Sequence, residues 1–72
     1  MDIAELKEQT TVSRSQAAER LHAIADELES GHDVVVERED LRFVAKVPDK
    51  VNLKVEFEVE EDGSELEIEL SW

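Results

Sequence analysis

From Val51 to Glu60 the chain alternates without a break: Val51, Leu53, Val55, Phe57 and Val59 are apolar, and Asn52, Lys54, Glu56, Glu58 and Glu60 are polar. A period of two puts the sets on opposite faces of a strand, one for a core and one for water. The alternation stops at Glu61-Asp62-Gly63-Ser64 and resumes with Leu66, Ile68, Leu70 and Trp72 set between Glu65, Glu67, Glu69 and Ser71. Asp62-Gly63 is a hairpin signal, because a type I′ turn needs positive φ at both central residues. That turn sets Glu60 opposite Glu65, Val59 opposite Leu66, Phe57 opposite Ile68, Val55 opposite Leu70 and Leu53 opposite Trp72. The two apolar sets then share one face. On the other face Glu58/Glu67 and Glu56/Glu69 join Glu60/Glu65 as like-charged pairs, each destabilising on a scale of roughly 0.2–1 kcal/mol. Concentrated salt, bound cations or a basic partner must offset this repulsion.

Upstream the period changes. Ala17, Leu21, Ile24 and Leu28, flanked by Ala18 and Ala25, recur at helical spacing, with Glu19, Arg20, Asp26, Glu27 and Glu29 around the rest of the cylinder. Ser13-Arg14-Ser15-Gln16 reads as a capping box, with Val12 and Ala17 at the staple positions. Gly31 after Ser30 is the expected left-handed C-cap. The prediction is an amphipathic helix over residues 13–30. Before it, Thr10, Thr11 and Val12 favour strand, so residues 4–10 are read as an edge strand, with a disordered arm over residues 1–12 as the alternative.

Beyond the helix, Val34-Val35-Val36 is a β-branched run followed by the charged connection Glu37-Arg38-Glu39-Asp40. Leu41, Phe43, Ala45 and Val47 then alternate with Arg42, Val44 and Lys46, another half-buried strand. Pro48-Asp49-Lys50 is a turn. If Val47 pairs with Val51, Arg42 falls opposite Glu56 and Lys46 opposite Asn52, while Val34 and Val36 face inward beside Phe43 and Leu41. Parity is consistent across all three connections. The fold class is therefore α+β, one amphipathic helix packed on a four- or five-stranded antiparallel β-meander, with the apolar set from Val34 to Trp72 under the helix and Trp72 as a lid over the open end of the core.

Composition narrows the function classes. Seventy-two residues make one domain, near the lower limit for a core that folds without staples. With no cysteine, a disulfide framework, a zinc–cysteine site and a catalytic thiol are excluded. No apolar run approaches the roughly 20 residues of a membrane span, and no basic region followed by an apolar stretch opens the chain, so a cytosolic location is the default. Twenty acidic against eight basic residues leave a net charge of −12, unsuited to nucleic acid or an anionic membrane surface. An acidic, lysine-poor composition around an ordinary core reads as a protein of a halophilic archaeon. At about 1 M salt the Debye length is only about 3 Å, and the cross-strand carboxylates scarcely repel.

The helix from Ser13-Arg14-Ser15-Gln16-Ala17-Ala18-Glu19-Arg20-Leu21 through Ile24-Ala25-Asp26-Glu27-Leu28 to Gly31 belongs to a wider pattern. Together with Val47-Pro48, the alternating strand from Val51 and the ending Glu67-Ile68-Glu69-Leu70-Ser71-Trp72, it resembles the amphi-Trp domain family. That family groups small bacterial and archaeal proteins whose amphipathic strands finish on a tryptophan. The resemblance covers about residues 5–72 and matches Trp72 to the terminal tryptophan. It implies a small α+β domain, and it supplies no catalytic or binding residues to carry over to this chain.

Candidate chemistry is sparse. His22 and His32 are not at a metal-ligand spacing, and His32 is placed to meet the helix C-terminal carbonyls. Ser13 and Ser15 sit in a capping sequence with no histidine at a motif spacing. Glu56/Glu69 or Glu58/Glu67 resemble an acid/base pair, but an open solvated face offers no burial to raise a pKa. No enzyme activity, cofactor, small molecule, nucleic acid or membrane is expected. The leading expectation is a non-catalytic protein-interaction or accessory module. Its partner is another protein or itself, a homodimer through the edge strand carrying Leu66, Ile68, Leu70 and Trp72. The alternative is a divalent-cation-binding protein using Glu56, Glu58, Glu67 and Glu69.

Overall fold

The computed structural model describes residues 7, 9–31 and 33–72. One helix is followed by four strands: α1 (Arg14–Glu29), β1 (Val34–Arg38), β2 (Leu41–Ala45), β3 (Asn52–Glu60) and β4 (Gly63–Ser71). The α+β class holds. The edge strand expected over residues 4–10 falls largely outside the described residues; Lys7, Gln9 and Thr10, which are described, carry no regular structure.

The helix begins and ends where its capping chemistry says. The Gln16 amide donates to the Ser13 hydroxyl at 3.0 Å, and the Ser13 amide donates to Gln16 Oε1 at 3.0 Å. Two otherwise orphaned donors are thus satisfied reciprocally. At the other end Gly31 takes φ 78°, a left-handed conformation that glycine adopts without a Cβ penalty. Its amide donates to the Leu28 carbonyl at 3.3 Å, and the Ser30 hydroxyl donates to the Glu27 carbonyl at 3.0 Å.

The strands form two separate antiparallel hairpins, β1–β2 and β3–β4, and not the single meander expected. β2 and β3 are not paired, so Arg42 does not lie opposite Glu56, nor Lys46 opposite Asn52. Arg42 instead sits across from Glu37 on β1, with Nε 3.6 Å from its carboxylate. Both hairpins also keep the expected parity while slipping by one pleat. Val34 pairs with Ala45 and Val36 with Phe43; Leu53 pairs with Leu70, Val55 with Ile68 and Phe57 with Leu66.

The slip has a local cause in each turn. In β1–β2 the strand runs on through Arg38, and the chain reverses at Glu39-Asp40, with Glu39 at φ 54°. That conformation is uncommon outside glycine and asparagine. In β3–β4 the reversal is at Glu61-Asp62, and neither they nor Gly63 carries a positive φ. The turn is therefore not type I′, and Gly63 becomes the first residue of β4 opposite Glu60. A shift of two preserves faces, since side chains alternate with a period of two.

The helix lies against the outer edge of β1. The Val35 amide donates to Glu27 Oε2 at 2.9 Å, and the Val35 carbonyl accepts from the Arg20 guanidinium at 3.2 Å. Both backbone groups of one residue, turned away from β2, are thus taken by helix side chains. The helix is rotated to match: Ala17, Arg20, Ile24, Glu27 and Leu28 are half-buried, whereas Leu21, expected in the stripe, is 49% exposed. Of the four strands, the helix backbone approaches only β1.

This placement leaves the sheet faces uncovered. Among the described residues none is fully buried; Val34, Val36, Ala45, Val47 and Leu70 of the expected core face are half-buried and the rest of it, Leu41 and Phe43 included, is exposed. The chain exposes 6889 Å² for 8.2 kDa, where a folded monomer of that mass exposes about 4,500 Å². The excess, about 2,400 Å², is more than the undescribed residues supply even at full exposure, by the same scaling of surface with mass.

If the Val35 clamp holds the helix, removing it releases the helix from β1. Glu27→Ala should lower stability by about 1.5 kcal/mol, the scale of a hydrogen bond to a charged group, with Glu27→Gln recovering part of the loss and Glu29→Ala nearly neutral. Urea unfolding followed by circular dichroism reads all three; equal effects of Glu27→Ala and Glu29→Ala would remove the clamp from the account.

Candidate functional site: the two faces of the C-terminal hairpin

β3 and β4 are nine residues each, about 30 Å of strand, and apart from Ser64, which lies opposite Val59 on the apolar side, they sort their side chains by polarity. One face carries Leu53, Val55, Phe57 and Val59 from β3 with Leu66, Ile68 and Leu70 from β4. All but Leu70 are 47–70% exposed. Leu70 is half-buried, where the strand end meets Leu28, Gly31, Val47, Pro48 and Val51 around a cleft of about 370 Å³.

Trp72 does not close this arrangement as a lid. Because the register places Leu70, not Trp72, opposite Leu53, β4 ends at Ser71 and the tryptophan projects past it, 62% exposed. The expected interaction residues Leu66, Ile68, Leu70 and Trp72 are thereby brought to one side and one end of the hairpin.

The opposite face is a carboxylate ladder with a cation built in. Glu56 lies across from Glu67 and Glu58 across from Glu65, but the slipped register puts Lys54 across from Glu69. Lys54 Nζ is also 3.1 Å from Glu56 Oε2, in an exposed pair of the kind that contributes about 0–1 kcal/mol. Two like-charged pairs remain where three were expected, and one has become attractive. Of the four residues considered for a divalent ion, Glu56 and Glu67 are direct neighbours, Glu58 faces Glu65, and Glu69 faces the lysine. Among the described residues no group of three or more acidic or histidine side chains converges as a metal site would require. Near the turn, Glu58, Glu60, Asp62 and Glu65 line a concavity of about 210 Å³.

The ladder perturbs one titration. Lys54 pulls the Glu67 carboxyl down, yet burial, the hydrogen bond with Glu69 and the repulsion of Glu56 and Glu65 outweigh it, and the group titrates above its ordinary value of 4.5. Crowding by like charge favours the protonated form.

His22 stands exposed on the helix, and Ser13 is engaged in its cap; the contact expected of His32 lies outside the described residues. Arg20 and Glu27 hold the helix to β1 although polarity alone places both on the solvated side. Their spacing carries a signal, because residues seven apart share a helix face after two turns.

The family model of the Amphi-Trp domain matches residues 2–72, nearly the whole chain. No curated protein and no solved structure matches.

The Glu67 titration has a sign that can be measured. Its folded pKa lies above the unfolded one, so the folded state binds the extra proton in that interval and ionisation works against folding. The associated stability is present below the unfolded pKa and lost as pH rises through the folded one. Acidification into the interval just above 4.5 should therefore raise the unfolding temperature, and Glu67→Gln should remove that part of the pH dependence. An unchanged pH profile in the variant would contradict the crowding.

Proposed function

The chain belongs to the Amphi-Trp domain family, and on that premise we propose that it is a non-catalytic interaction module whose working surface is the apolar face of β3–β4. The observation that supports this reading is the exposure of Leu53, Val55, Phe57, Val59, Leu66, Ile68 and Trp72 as one contiguous face. Soluble monomers rarely leave a contiguous apolar patch larger than a few hundred Å² in water, and larger ones mark contact sites. The carboxylate face has a different job: it keeps the chain soluble and repels unwanted neighbours through net charge. The setting that suits it is the salty cytoplasm of a halophilic archaeon, where screening removes most of the cross-strand repulsion.

The working surface differs from the edge of β4 alone. Edge pairing joins backbone groups and leaves the side chains of the sheet faces where they were, whereas the feature that separates this hairpin from a solvated one is the row of large apolar side chains. The cation-binding alternative is the weaker reading, because Lys54 already occupies the position opposite Glu69.

Immobilised chain in molar KCl should retain partner protein, itself included, from a lysate of its own cells, and Phe57→Glu should abolish retention. Millimolar magnesium or calcium should shift the unfolding midpoint no more than KCl of equal ionic strength. A strictly monomeric chain that retains nothing would end the interaction reading; strong, divalent-specific stabilisation lost on replacing Glu56, Glu58, Glu67 and Glu69 by Gln would establish the cation site in its place.

A further inference from the structure

From the distribution of charge and exposed area we infer that the occupant of the β3–β4 apolar face is a second copy of this chain, packed face to face as a two-fold sandwich. The inference rests on the reading of that face as the interaction surface and names what covers it.

Three observations converge. First, the chain exposes about 2,400 Å² more than a folded monomer of its mass, and the apolar side chains of this face other than Leu70, 47–70% exposed, contribute to that excess; a second copy packed on them brings the surface back toward that of a folded protein. Second, the apolar face is free of charge: every carboxylate of β3 and β4 within the ladder, from Glu56 and Glu58 to Glu65, Glu67 and Glu69, is on the opposite side. For a chain of net charge −12, this is the side on which another copy meets least repulsion. Stacked sheets pack about 10 Å apart, so the two carboxylate ladders end up on the outer surfaces of the sandwich. Third, the patch is self-complementary in kind, rows of Leu, Val, Phe and Ile on twisted strands of equal length, as a two-fold contact requires.

The same observations argue against a dimer through the β4 edge. Two-fold antiparallel pairing of β4 with its copy brings Glu65, Glu67 and Glu69 of one chain beside those of the other, adding like-charge neighbours. It also leaves the apolar face in water. Nor does the helix of the same chain supply the cover, since it is bonded through Arg20 and Glu27 to the far edge of β1.

Because each copy carries the same net charge, assembly depends on screening. With the sheets about 10 Å apart and the carboxylates pointing outward, the two ladders lie roughly 20 Å apart; at about 0.01 M salt the Debye length is about 30 Å and they repel, and at about 1 M it is about 3 Å and they do not. Light scattering coupled to size-exclusion chromatography, over a dilution series of the full chain, should give twice the 8.2 kDa monomer mass in molar KCl and the monomer mass in dilute salt. Phe57→Glu should give monomer in both, with circular dichroism reporting whether its strands persist. The wild-type series decides independently of whether that variant folds. A monomer at every concentration in molar KCl overturns the second copy. If that monomer binds an apolar fluorescent dye that Phe57→Glu does not, the face is bare and the interaction reading survives alone. If it binds none, the chain has closed its own face and both fail. A dimer that persists in a folded Phe57→Glu variant also overturns the face-to-face arrangement.

Discussion

Two hydrogen bonds to a single residue decide what this molecule covers and what it leaves open. Arg20 and Glu27 take the carbonyl and the amide of Val35, and in doing so they fix α1 along the edge of β1. A helix so placed protects an exposed strand edge, which is one way proteins block unwanted pairing. It no longer lies on the sheet face that its own apolar stripe was suited to cover. Everything else follows from that trade: the rotation that exposes Leu21, the absence of a buried residue among those described, and the bare face of β3–β4.

A chain of 72 residues has little room to absorb such a loss. Small domains bury a smaller fraction of their surface than large ones, and the entropy of ordering a residue is comparable with what burying one large side chain contributes. An uncovered row of Leu, Val, Phe and Ile is thus a thermodynamic reason to associate. The carboxylate ladder on the other face acts in the opposite direction, and Lys54 only partly relieves it. The balance between apolar contact and like-charge repulsion is set by salt, which ties the stability of the molecule to the ionic strength around it.

Much of the local structure was legible in the sequence. The capping box at Ser13 and Gln16, the glycine cap at Gly31, the existence of four strands and the face of every apolar residue in β3 and β4 all follow from short-range rules, and the structure agrees with each. Register was less legible, because Asp62-Gly63 and Glu61-Asp62 are equally consistent with the flanking alternation; only the backbone conformation separates them, and the positive φ that would mark a type I′ turn is absent. A slip of one pleat left the faces intact and displaced Trp72 from the end of the ladder. The tertiary arrangement was least legible. Parity allows a four-stranded meander without requiring it, and the polar residues Arg20 and Glu27, read as solvated, turn out to orient the helix. Alternation alone puts Leu66, Ile68, Leu70 and Trp72 on one side of β4, whereas the exposure of Leu66, Ile68 and Trp72 there follows only from the tertiary arrangement.

The helix bonds to the edge of β1 and does not cover the C-terminal hairpin of its own chain. An isotope-filtered nuclear Overhauser experiment on a mixture of labelled and unlabelled chain in molar KCl tests it directly, since it separates contacts within a chain from contacts between chains. Intrachain contacts are expected from the Glu27 side chain to the Val35 amide, and none from Leu21 or Ile24 to Phe57 or Ile68. Strong intrachain contacts between Leu21 and Phe57 would contradict it, for they would mean that the helix covers the hairpin after all.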